Sequence, residues 1–63
     1  MMVRIGITVG EKTQTIDIDS PDSVDVLKRE IFRLLETQRF ILIPYTKAIY
    51  RCDIVDRVTV QEW

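Results

Sequence analysis

In the first half of this chain the hydrophobic period changes at Ser20-Pro21-Asp22-Ser23, and that switch constrains the fold more than any other feature. Upstream, Val3, Ile5, Ile7 and Val9 alternate with Arg4, Gly6 and Thr8. After Gly10-Glu11-Lys12, a second alternating run sets Ile16 and Ile18 between Thr15, Asp17 and Asp19. Period two marks strands with one buried face. Downstream, Val24, Leu27, Ile31, Leu34 and Leu35 share a stripe about 100° wide at helical spacing. The order predicted is a strand over 2–9, a turn at Gly10, a strand over 13–19, and a helix ending near Glu36 to Gln38. Either Ser20, with Pro21 behind it, or Ser23 can supply the capping oxygen, and Asp22 and Asp25 place favourable charge in the first turn.

The second half is shorter in its signals. Arg39-Phe40-Ile41-Leu42-Ile43 is apolar on both faces and is stopped by Pro44, which predicts a third strand. Tyr45-Thr46-Lys47 turns. Ala48 to Val55 predicts a short irregular strand and then a helical turn around Cys52-Asp53. Val58 and Val60 alternate with Arg57, Thr59 and Gln61 in a last strand ending at Trp63. The expected fold class is α+β: a β-hairpin, one helix, then two or three short strands in a mixed sheet with the helix on one face. Residues 1–63 make a single small domain.

At this length a domain buries only ~60% of the surface its unfolded chain exposes. Cys52 is the only cysteine and histidine is absent, so neither a disulfide framework nor a zinc site can supplement the core. Self-association is one remaining source of stability. Nine basic and ten acidic side chains give a net charge of −1, with Asp17, Asp19, Asp22 and Asp25 ahead of the cationic later half. Acid at a helix start and base beyond it suit the helix dipole. The N-terminus lacks the layout of a secretory signal, and no apolar run approaches the ~20 residues that span a bilayer. A cytoplasmic protein without membrane contact is expected.

In the run Ile18-Asp19-Ser20-Pro21-Asp22-Ser23-Val24, continuing to Leu27-Lys28 and Ile31, the chain resembles the second strand and helix start of ubiquitin-like β-grasp domains. Gln38-Arg39-Phe40-Ile41 is similar to that family's third strand. Asp53-Ile54 followed by Val58-Thr59-Val60 looks like its last turn and strand. The segment between the third and last strands is shorter than the family's. The chain ends at Gln61-Glu62-Trp63, without the paired glycines that modifiers and sulfur carriers activate. The resemblance therefore implies the family's other use, a compact domain that binds proteins through its sheet.

If the helix covers one face of the sheet, alternation places Val3, Ile5, Ile7, Ile16, Ile18, Phe40, Leu42, Val58 and Val60 inward. Arg4, Gly6, Thr8, Ile41, Ile43, Thr59, Gln61 and Trp63 then share the open face. Ile41, Ile43 and Trp63, with Arg4, Gly6 and Gln61 around them, form the candidate protein-binding patch. Gly6 would let a partner approach closely. The alternative is that Trp63 folds over the sheet edge and merely covers Ile41 and Ile43.

Catalysis is disfavoured. No histidine or glycine-rich phosphate loop is present, and Cys52 reads as a small core residue. So short a chain also has little room for a ligand pocket of ~300 Å³. No cofactor, metal or small-molecule substrate is expected. The leading expectation is a non-catalytic protein-binding module, acting on a partner or on itself as a homodimer. Its size suits an inhibitor or assembly factor of a phage or mobile element. The second is a nucleic-acid binder using Arg29, Arg33, Arg39, Arg51 and Arg57 with Tyr45 and Tyr50, although interleaved carboxylates would blunt its field.

Overall fold

Strands β1 (Met2–Val9) and β2 (Lys12–Asp19) pair antiparallel from Met2↔Asp19 to Val9↔Lys12 with no break in register. The computed structural model describes all of residues 1–63. Gly10 closes this hairpin with φ +63°, and Glu11 remains at negative φ, as a two-residue type II′ loop requires. A Cβ at Gly10 would meet nothing within 4 Å, so Gly10→Ala carries a backbone cost alone. That cost is about 1–2 kcal/mol, because an L side chain at positive φ crowds the carbonyl oxygen. Urea denaturation should show a lower midpoint with an unchanged slope.

Helix α1 (Val24–Thr37) starts where the hydrophobic period changes. Ser23 is its cap: the hydroxyl accepts the Val26 N–H at 3.3 Å. Ser20 has a different task. Its buried hydroxyl accepts the Asp22 N–H at 3.0 Å and donates to the Asp22 carbonyl at 3.1 Å, shaping the turn before the helix. The helix buries Leu27 and Ile31 and ends as Gln38 turns to extended backbone.

Beyond the helix come β3 (Phe40–Leu42), β4 (Ile49–Arg51), a 3-10 turn (Cys52–Ile54) and β5 (Arg57–Glu62). Hairpin, helix, short strands and last strand form a small α+β fold, an order compatible with a β-grasp-like arrangement. The strands divide into two sheets, one in the order β2-β1-β5 and the other the β3–β4 ribbon. Every pairing is antiparallel, so the sheet is not mixed. The cause lies where β5 begins. The Asp56 N–H bonds the Thr8 carbonyl at 2.8 Å, and the Asp56 carboxylate accepts the Gly10 N–H at 2.6 Å. These bonds pin the start of β5 beside the β1–β2 turn, so β5 must run back along β1 in the opposite direction.

One core joins both sheets and the helix: Val3, Ile5, Ile7, Ile18, Leu27, Ile31, Ile41, Ile43, Val58 and Val60 are buried together. The helix packs against β5 and β3. Outside the core, the Tyr50 hydroxyl donates to Gln14 of β2, and the Tyr45 hydroxyl donates to Asp22 at 2.6 Å. The β3–β4 ribbon is thus tied to the first hairpin at one point and to the helix start at another. No helix is long and apolar enough to cross a membrane.

Candidate functional site

The uncovered face of the three-stranded sheet is a polar grid. Asp17, Arg4 and Gln61 lie across it in one row, Thr15, Gly6 and Thr59 in the next, and Thr13, Thr8 and Arg57 in a third. Arg4 reaches Asp17 with two nitrogens, at 2.9 and 3.3 Å. Its guanidinium carbon also lies 3.7 Å from the centre of the Trp63 ring, a stacked cation–π contact. Trp63 is 62% exposed and leaves Ile41 and Ile43 to be covered by the core itself. Gly6 offers no open notch either: a Cβ there would sit 2.6 Å from Thr59 Oγ1, so Thr59 already fills the space.

The hydrogen bonds from Arg4, aided by its charge, hold the Asp17 carboxyl below its usual value. A depressed folded pKa stabilises the fold fully above the unfolded value, and that contribution disappears as pH falls through the folded pKa. A carbon-detected NMR titration should place the Asp17 midpoint below the ordinary aspartate value of about 3.9. Arg4→Gln should move that midpoint upward.

The expected patch is divided by the sheet. Arg4, Gly6, Gln61 and Trp63 do share the open face, but Ile41 and Ile43 are each only 1% exposed and belong to the core. Phe40 and Leu42, expected inward, are the residues that face out. β3 is not a further strand of the large sheet. It pairs only with β4, and this ribbon turns its Ile41, Ile43 and Tyr50 side toward the core. A one-residue change of phase sends every side chain to the opposite face.

The outward side of the ribbon is an apolar surface. Leu42 stands opposite Ile49 and Phe40 opposite Arg51, with Phe40 59%, Leu42 52% and Ile49 64% exposed. Exposed Arg39 and Lys47 stand near its ends. Beside Phe40, between the ribbon and the end of α1, runs a groove of about 790 Å³ whose lining includes Leu35, Gln38, Arg39 and Cys52. It exceeds the room expected of so short a chain because it is an open cleft between two elements. Cys52 is half-buried there with its sulfur 3.9 Å from the Leu34 carbonyl, and the flanking Arg51 and Asp53 pair with each other at 2.7 Å.

The five arginines considered for nucleic acid do not share one surface. Arg29 and Arg33 are on the helix, and Arg39 and Arg51 border the groove. Arg57 is on the open sheet face beside Thr8. Arg33 and Arg51 are already paired with Glu30 and Asp53. Tyr50 is half-buried with its hydroxyl on Gln14. No protein-family model matches this chain, nor does any curated protein or solved structure.

Proposed function

We propose that the protein is a non-catalytic module that binds another protein through the outward face of the β3–β4 ribbon. One observation carries this reading: Phe40 and Leu42 share the outward side of β3 and Leu42 stands opposite Ile49, each of the three more than half exposed. Scattered surface aliphatics are ordinary. Three contiguous ones that include an aromatic and are bordered by arginine have the composition of an interface centre and rim. The hairpin–helix–strand order is compatible with that of ubiquitin-like β-grasp domains, which bind proteins through sheet surfaces, and supports the reading to that extent. The polar grid around Trp63 is the weaker candidate, since Arg4 there is engaged with Asp17 and Trp63, and Thr59 fills the space over Gly6.

The test is affinity capture from the native host with wild-type protein, Leu42→Asp and Trp63→Ala as baits. A protein retained by wild type and by Trp63→Ala, but not by Leu42→Asp, supports the assignment. Retention by Leu42→Asp equal to wild type would remove it. Elution of the purified protein from a polyanion column at low salt would remove the nucleic-acid alternative.

A further inference from the structure

A different surface carries a second interaction, the free edge of β2. The Ser20 N–H bonds the Met1 carbonyl at 2.8 Å, and this bond sets the phase of the β1–β2 ladder. Main-chain groups alternate in direction along a strand, so the even-numbered residues of β2 bond to β1. The N–H and C=O groups of Thr13, Thr15, Asp17 and Asp19 therefore point away from the sheet. β2 pairs with no other strand. The edge is eight residues long, has an unbroken register and contains no proline. Of the devices with which proteins blunt such edges, bulges, prolines, covering elements and charged side chains, β2 carries only the charges of Lys12, Asp17 and Asp19. The opposite edge, β5, is shorter and has the helix packed against it.

We propose that β2 pairs antiparallel with β2 of a second copy across a two-fold axis at Ile16, joining two three-stranded sheets into one. Side-chain chemistry selects both the occupant and the register. Centring on Ile16 sets Thr15 opposite Asp17 and Thr13 opposite Asp19, so hydroxyl donors face carboxylate acceptors. Thr15 has no side-chain partner within its own chain, whereas Thr13 already shares a hydrogen bond with Thr8 and retains capacity for another. Moving the axis to Thr15 would oppose Glu11 with Asp19, and moving it to Asp17 would oppose that residue with itself. Both place like charges face to face. At the Ile16 centre, each Asp17 is instead neutralised by its own Arg4. The two half-buried Ile16 side chains meet on the inner face, as in an isologous interface.

The experiment combines sedimentation with amide hydrogen exchange on the full chain. At NMR concentrations a doubled mass is expected, with slow exchange at Thr13, Thr15, Asp17 and Asp19 that speeds up on dilution. Thr15→Pro deletes an outward N–H and no bond of the native ladder, so it should give a folded monomer. Leu42→Asp should remain dimeric, which separates this proposal from the one for the ribbon. A monomeric mass with those four amides exchanging freely would overturn it. So would a dimer that survives Thr15→Pro and dissociates with Leu42→Asp. Should Thr15→Pro fail to fold, the exchange pattern of the wild type decides alone.

Discussion

Ile43→Asp should leave the protein unfolded, while Leu42→Asp, one residue earlier, should fold as the wild type does. Ile43 is enclosed by the core that joins both sheets to the helix. Truncating such a side chain costs about 2–5 kcal/mol, and an aspartate there adds an unpaired buried carboxylate. A core in a chain of this length supplies only about 3–5 kcal/mol of stability, so that loss exceeds the reserve. Leu42 lies on the ribbon's other side, and surface changes of that kind stay within about 0.5 kcal/mol. Far-UV circular dichroism with amide NMR spectra separates the two outcomes. Folded Ile43→Asp with disrupted Leu42→Asp would mean that the strand faces the other way.

The second large effect concerns binding. Interface energy concentrates in a few central aromatic and aliphatic anchors, while rim charges mainly adjust encounter rates. Against a captured partner, Phe40→Ala should weaken affinity by roughly 30-fold or more, an anchor-sized loss of at least about 2 kcal/mol. Ile49→Asp should weaken it further, because it sets a carboxylate against a desolvated surface. Arg39→Gln should change affinity only a few-fold and should flatten its dependence on salt. Titration calorimetry at two ionic strengths measures all three. Equal losses for Phe40→Ala and Arg39→Gln would mean that the anchor is elsewhere.

Most of the architecture is legible in the residues. The alternations 3-5-7-9 and 58-60 and the stripe 24-27-31 describe elements with one buried side, so period alone orients them. Gly10 signals its turn and Ser23 its cap. The segment Phe40-Ile41-Leu42-Ile43 fails because it is apolar at every position and its period carries no phase. Membership of the large sheet would place Ile41 and Ile43 on the open face, whereas both lie in the core. A usable signal lay in the partner strand. Lys47, Ile49 and Arg51 share one parity, and cations at its ends mark that side as solvent-facing. Pairing this strand with β3 through Phe40↔Arg51 and Leu42↔Ile49 forces Phe40 and Leu42 outward as well. The direction of β5 was not legible, because it depends on Asp56 meeting Gly10 and Thr8, residues distant in sequence.

The most direct measurement compares the two faces of the molecule in one titration series against the same purified partner. Phe40→Ala and Ile49→Asp alter the outward ribbon face, and Trp63→Ala and Gln61→Ala alter the open sheet face. All four positions are exposed, so the folded state should survive each change. Affinity should fall sharply for the first pair and remain within a few-fold of wild type for the second. Loss of binding confined to Trp63→Ala and Gln61→Ala would contradict the assignment of the ribbon as the contact face.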